Sequence, residues 1–319
     1  MAELGQDILR AAKLLRAGEL VAIPTETVYG LAANALDRNA VVQIFAVKNR
    51  PAFDPLIVHV ADSEAFSLYA EAVPPAALRL AREVCPGPVT FVLRKKSIIP
   101  DLVTSGQASV ALRVPDHALT LALLKMLDFP LAAPSANPFG FVSPTRAADV
   151  EDQLGRSIPY ILDGGPCRVG LESTIIDFSG RQPEILRLGG LPLEFIEDHL
   201  QQKVAVRTSS SNPKAPGMLS SHYNPGRKVL VGDVDELLKT LPEEQVGVLA
   251  FRRPHPAIPA QYQRILSPSG NLQEAASNFF AMLRAFNSLP VEVVVAEWVP
   301  DEGLGRAIND RLRRASSSG

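Results

Sequence analysis

At 319 residues, with 46% hydrophobic and 21% charged side chains, the chain is globular and too long for one ordinary core, so two domains are expected. A net charge of −2 gives no global pull toward nucleic acid. No apolar run approaches the roughly 20 residues of a membrane span, no basic-then-apolar leader opens the sequence, and Cys85 and Cys167 alone make neither a disulfide framework nor a zinc site, so a cytoplasmic protein with inert cysteines is expected.

Ile8 to Leu15 reads as an amphipathic helix ended by Gly18. Leu20 to Ile23 reads as a strand that breaks at Pro24 into the polar stretch Thr25-Glu26-Thr27-Val28-Tyr29-Gly30-Leu31, the kind of loop that carries function. If that loop is extended, Thr25 and Thr27 line one face and Glu26 points to the other. A helix from about Asn39 to Val47, apolar at Val42, Phe45 and Ala46, delivers Lys48 at its end. Pro51 disfavours helix at Arg50, so the two cations can converge on one anion, or else form a solvated basic helix end.

Further strands are expected over Leu56 to Val60, Val89 to Leu93, Ser109 to Val114, Leu131 to Ala133, Tyr160 to Leu162, Thr174 to Phe178 and Glu184 to Leu188. Helices are expected near Ala76 to Val84, Ala118 to Leu127 and Arg146 to Leu154. The alternation predicts an α/β layered domain over roughly the first 200 residues. Residues 209 to 217 have a linker's composition. Beyond them strands (Lys228 to Val231, Val246 to Phe251, Val291 to Trp298) alternate with helices (Val234 to Leu241, Leu272 to Leu289, Leu304 to Arg314), a small Rossmann-like β-α-β unit. Its Gly303-x-Gly305 lacks the third glycine of a dinucleotide fingerprint and reads as a plain helix start. The terminal Ser316 to Gly319 is expected to be disordered.

Polar groups gather at strand ends, where open α/β sheets bind ligands. Arg113 and Arg187 each interrupt an apolar run and need an anion or a route to water. In Ala133-Pro134-Ser135-Ala136-Asn137-Pro138 the Ser135, Ala136 and Asn137 amides are left without regular pairing, and Ser143-Pro144-Thr145 reads as a helix cap; both are potential anion sites. His59 reads equally as a ligand or as a satisfied core histidine. No Ser-His-Asp or Cys-His set and no Walker A motif is visible. Cations, hydroxyls and amides without a nucleophile suit the positioning of two anionic substrates for direct displacement at phosphorus.

Six ordered motifs carry a resemblance: Pro24-Thr25-Glu26-Thr27-Val28-Tyr29-Gly30-Leu31, Lys48-Asn49-Arg50-Pro51, Pro55-Leu56-Ile57-Val58-His59, Pro86-Gly87-Pro88-Val89-Thr90, Ala133-Pro134-Ser135-Ala136-Asn137 and Glu172-Ser173-Thr174-Ile175-Ile176. Together they resemble the threonylcarbamoyl-AMP synthase family, and Pro216-Gly217-Met218 with His222-Tyr223-Asn224-Pro225 resembles its long form. The resemblance implies a YrdC-like twisted open mixed sheet over residues 1 to 208, a linker or lid over 209 to 226, and the Rossmann-like domain over 227 to 319. It implies the reaction of L-threonine, bicarbonate and ATP, with Mg²⁺, to threonylcarbamoyl-AMP and pyrophosphate. Separate proteins then use the product to make threonylcarbamoyl-adenosine in tRNA, and direct tRNA binding is weak or absent.

By position, Thr27, His59, Arg113, Ala133 and Ser173 look like the threonine site, with Arg113 on the carboxylate. Lys48, Arg50, Asp54, Ser109, Ser135, Asn137, Ser143, Arg187, His222 and Tyr223 look like ATP contacts, and Lys48, Arg50 and Arg113 would act in the reaction itself. Asp54 stands where relatives can carry Asn, Ser109 where they can carry Thr, and Leu219-Ser220-Ser221 replaces a Lys-Tyr pair. Asp54 is thereby left facing either ATP or Mg²⁺, and no metal-ligand set is assigned. Two other readings belong to the same resemblance: a carbamoyltransferase working through an adenylate, and a non-catalytic RNA-binding module.

Overall fold

The computed structural model describes residues 1–208, 214–218, 222–241 and 245–317. The chain divides into two compact units, one of Met1–Phe139, Pro144–Arg168 and Glu172–Leu219, the other of Gly140–Ser143, Val169–Leu171 and Ser220–Gly319.

The first unit runs β1 (Glu3–Gly5), α1 (Ile8–Arg16), β2 (Val21–Ile23), β3 (Gly30–Asn34), α2 (Arg38–Lys48), β4 (Ile57–His59), α3 (Phe66–Tyr69), α4 (Pro75–Val84), β5 (Val89–Arg94) and α5 (Asp101–Thr104). It continues with β6 (Ser109–Arg113), α6 (Ala118–Met126), β7 (Leu131–Ala132), α7 (Ala147–Leu154), β8 (Tyr160–Leu162), β9 (Thr174–Asp177), β10 (Glu184–Arg187), α8 (Leu193–Leu200) and β11 (Ala205–Val206). Among the described residues these strands form one mixed 11-stranded sheet in the order β1-β8-β2-β3-β7-β4-β6-β5-β9-β10-β11. β4 and β6 are parallel with His59 beside Arg113, β5 and β6 are antiparallel with Val92 opposite Ala111, and β5 and β9 are parallel.

Alternation along a strand assigns the faces. Val58, Leu112, Phe91 and Ile176 point into the main core with Phe66, Leu80 and Ile44. Their neighbours Ile57, Ala111, Val92 and Ile175 point the other way, in a smaller apolar cluster with Leu186, Ala215 and Met218. His59, Arg113, Ser109, Thr90 and Ser173 are two residues from members of that second row and share its face.

Local chemistry fixes how the key helix delivers its end. Asp37 caps α2 by accepting from the Asn39 amide at 2.8 Å, and Asn49 ends it in the left-handed region at φ 51°. The chain therefore leaves the helix before Arg50, as the proline at 51 implies. Arg146, not Ser143, is the cap position of α7, where Asp149 accepts from the Thr145 and Arg146 amides at 2.9 and 3.0 Å.

The second unit runs β12 (Lys228–Val231), α9 (Val234–Leu238), β13 (Val246–Ala250), β14 (Gln263–Ile265), α10 (Leu272–Ala285), β15 (Val293–Ala296) and α11 (Leu304–Ser316). Among the described residues its strands are parallel in the order β12-β15-β13-β14. Ser316 closes α11 and donates to the Arg313 carbonyl at 2.8 Å, so order persists further than the serine-rich end implies; Ser318 and Gly319 lie outside the described residues.

The short elements β1, β3, β11, α3, α5, α8 and β14 carry no pattern that predicts them. β3 is Gly30-Leu31-Ala32-Ala33-Asn34, poor in strand formers, and its burial between β2 and β7 overrides propensity. Phe91 sits at the centre of the core, fully buried, with ring centroids 5.4 Å from Phe66 and 6.0 Å from Phe178. Phe91→Ala should cost about 3–5 kcal/mol, read as a lower urea midpoint with an unchanged slope.

Candidate active site

The loop after β2 is bent, not extended. Thr25 Oγ1 accepts from the Thr27 and Val28 amides at 3.1 and 3.2 Å and lies 2.6 Å from the Val28 carbonyl, so the hydroxyl curls the chain back on itself. Glu26 and Thr27 consequently meet the same group instead of facing apart. Arg113 Nη2 donates to Glu26 Oε1 and to Thr27 Oγ1, each at 2.8 Å. Arg113 is 4% exposed, and its Nε is buried without a partner. Breaking such a buried pair from one side costs about 3–5 kcal/mol, because the remaining charge is left uncompensated.

His59 stands beside Arg113 with Nδ1 buried and unpartnered. Burial, reinforced by the Arg113 charge, pushes its pKa down to about 3, so its imidazole is neutral at ordinary pH. Across the same face Ser173 Oγ lies 2.7 Å from Thr90 Oγ1, and Arg187 donates from Nη2 to Ser173 Oγ and from Nε to the Ser173 carbonyl, both at 3.0 Å. Gly189 makes that contact possible: a Cβ there would lie 2.3 Å from the Glu172 carbonyl oxygen and 2.5 Å from the Ser173 carbonyl carbon. Arg187 Nη1 reaches the Pro216 carbonyl at 3.3 Å, in the segment whose Ala215 and Met218 cover the apolar row. Of the expected linker, 209–213 and 219–221 lie outside the described residues.

The basic end of α2 is built differently from the expectation that Lys48 faces phosphate. Its ammonium, 1% exposed, donates to the Ser135 and Asn137 carbonyls, so it pins the Ala133–Pro138 turn. Burial first, then the Arg50 charge, hold its pKa well below the usual lysine range. Two of the turn's amides are also occupied, Ala136 by the Tyr29 carbonyl at 2.8 Å and Asn137 by the Ser135 carbonyl at 3.0 Å, so it is not an open amide cradle. Ala133 is packed close to Gly30, where a Cβ would come within 3.2 Å of it.

Arg50 donates to the Asp54 and Pro55 carbonyls and pairs with Asp54 Oδ2 at 2.9 Å. Asp54 Oδ1 is buried without a partner. Burial raises the Asp54 pKa, while the charges of Arg50, Lys48 and Arg187 pull it down. Arg50 thus pairs with this carboxylate directly, and the charges of Lys48 and Arg187 act on it as well. Among the described residues no group of three or more acidic, His or Cys side chains is placed to hold a metal ion. The lone Asp54 oxygen fits a divalent ion that arrives with phosphates and keeps most of its own shell.

Ser109 opens β6 and Arg113 closes it, about 13 Å apart along the strand at 3.3 Å per residue. A cavity of about 540 Å³ opens at the Ser109 end, lined also by Arg94, Lys95, Gln107, Ser179 and Lys214; no other expected site residue lines it. Ser143, His222 and Tyr223 fall in the second unit. There the His222 and Tyr223 rings meet at 4.2 Å, and the Arg311 guanidinium lies 5.4 Å over Tyr223. Burial pushes both cysteine thiols up to about 12, which removes them as nucleophiles at neutral pH.

Sequence reasoning gave Glu26 and Thr90 no role of their own at the site. The signal for Thr90 is a lone hydroxyl inside Val89-Thr90-Phe91-Val92-Leu93; for Glu26 it is a carboxylate enclosed by an apolar strand and a tyrosine. His59 also yields a pH prediction. The unfolded chain binds its proton near the ordinary 6.5, the folded protein only near 3, so stability is full above that upper value and declines as pH falls toward the lower one. Between about pH 6.5 and 4.5 this costs about 2 kcal/mol. Urea midpoints of His59→Gln should lose that part of the acid slope.

Residues 13–189 match the family described as "Telomere recombination" and 191–317 the one described as "Threonylcarbamoyl-AMP synthase, C-terminal domain". The threonylcarbamoyl-AMP synthase of Pyrococcus abyssi is 41% identical, covering 96% of this chain and 93% of its own, and that of Bacillus subtilis 37% identical, covering 97% and 92%. The crystal structure of P. abyssi Sua5 complexed with L-threonine superposes with a TM-score of 0.89 at 40% identity, covering 98% of this chain and 94% of that one. With both family matches in order and the same mixed sheet beneath them, the chain belongs to the threonylcarbamoyl-AMP synthase family.

Proposed function

We propose that this chain condenses L-threonine, bicarbonate and ATP into threonylcarbamoyl-AMP and pyrophosphate, for the threonylcarbamoyl-adenosine modification of tRNA beside the anticodon. The observation that carries this reading is the face of β6. It presents a buried arginine with an unpartnered donor at one end and a hydroxyl beside a cavity of about 540 Å³ at the other.

Arg113 takes the threonine carboxylate, a planar anion that matches a guanidinium edge. Thr27, His59, Ala133 and Ser173 line the rest of the amino acid. His59, neutral at ordinary pH, offers the amino acid a polar but uncharged ring. The unprotonated amine nitrogen bonds to the carbon of bicarbonate, releasing water and leaving a carbamate, whose oxygen then attacks the α-phosphorus as pyrophosphate leaves. No enzyme nucleophile takes part.

Arg50 and Arg187 supply charge for the triphosphate, and Lys48 acts by fixing Ser135 and Asn137. Asp54 would be the carboxylate facing Mg²⁺ carried in on ATP, and the ion would offset phosphate charge. The product passes to separate tRNA-modification proteins, and this chain itself binds tRNA weakly or not at all.

Mass spectrometry of a short reaction with ATP, Mg²⁺, L-threonine and ¹³C-bicarbonate should show labelled threonylcarbamoyl-adenylate, lost when threonine is omitted. Carbamoyl-adenylate formed from carbamoyl phosphate and ATP without threonine, or tRNA binding without turnover, would replace this reading. The cover formed by Ala215 and Met218 keeps water from the acyl-phosphate. Met218→Ser should therefore raise ATP hydrolysis per molecule of product severalfold, read as the ratio of AMP to adduct.

A further inference from the structure

Glu26 takes no part in the chemistry above, yet it sits at 1% exposure, where a carboxylate is costly unless its charge is matched. Both of its oxygens are engaged. Oε1 accepts from Arg113 Nη2 at 2.8 Å, and Oε2 accepts from the Asp116 amide, just past the end of β6, at 3.0 Å. One carboxylate therefore grips the arginine side chain and the backbone that follows it. Among the described residues Arg113 donates its side-chain hydrogen bonds only to the Thr25–Thr27 loop, through Nη2 to Glu26 and Thr27, while Nε is buried without a partner there. The guanidinium is anchored on one side and leaves a buried donor that the chain does not satisfy.

We propose that Glu26 is a positioning residue for substrate: it carries the charge of Arg113 before an amino acid arrives and fixes the guanidinium so that its remaining donors face the incoming α-carboxylate. The inference rests on the reading that Arg113 receives that carboxylate. Two effects oppose each other. Removing Glu26 abolishes a like-charge repulsion on the substrate, but it also leaves a buried guanidinium without its counter-ion, free to turn toward water. The second effect dominates, because the geometry of reception is lost with it.

Steady-state kinetics of Glu26→Gln beside Arg113→Lys test it. Gln keeps the size and one acceptor but loses the charge and cannot satisfy both partners. The expected result for Glu26→Gln is a KM for threonine raised tenfold or more, with the KM for ATP within twofold. An unchanged or lower threonine KM, or equal losses in kcat and in both KM values, overturns the proposal. Arg113→Lys separates the two layers: if it leaves threonine KM unchanged, the reading of Arg113 falls; if it raises threonine KM while Glu26→Gln does not, only the role of Glu26 falls. Should Glu26→Gln not fold, ¹⁵N NMR of the unmodified protein decides. Slow Cζ–Nη rotation of Arg113 before threonine is added is expected, and rapid averaging at that stage overturns the proposal.

Discussion

A guanidinium can remain inside a protein only where something else carries its charge, and the first unit encloses three. Arg50, Arg113 and Arg187 are 9%, 4% and 4% exposed, and each is held differently. Arg50 has a carboxylate four residues on, Arg113 has one from a distant loop, and Arg187 leans on a serine and two backbone carbonyls. Much of the surrounding structure serves these arrangements: the bent Thr25–Thr27 turn, the early exit from α2 and the bare Cα of Gly189. Burying charge on one face of a sheet whose other face is the main core leaves little freedom to move any of the three, which suits groups that must wait in position.

Much of this was legible in the sequence because a strand covered on both faces reads as a short continuous apolar run. Tyr160 to Leu162 was read with its observed ends, and Val89–Arg94 and Ser109–Arg113 to within a residue at one end. What escaped was short or compositionally atypical: the three-residue edge strand Glu3–Gly5 and the alanine-rich Gly30–Asn34. Neither carries a period long enough to register, and both exist because a neighbour completes their hydrogen bonds.

The site was legible as a set of residues but not as a set of bonds. The sequence brings Lys48 and Arg50 to the end of one helix, yet whether a cation faces ligand or protein depends on tertiary neighbours that spacing does not encode. Lys48 turned inward to the Ser135 and Asn137 carbonyls, and Asp54 paired with Arg50 while keeping one oxygen unengaged. Glu26 was misplaced for a more specific reason. The period-two rule holds only for extended chain, and a hydroxyl-capped bend at Thr25 put residues 26 and 27 on the same partner.

A β-strand is also a ruler whose divisions cannot be stretched. Ser109 and Arg113 are marks four divisions apart on one such ruler, so the span between whatever each end holds is set by peptide geometry and not by side-chain flexibility. Selectivity of this kind reads length along a molecule before it reads chemistry at its tip. A molecule held at both marks must match that span, and one lengthened by a single bond overshoots it however well its first end is received.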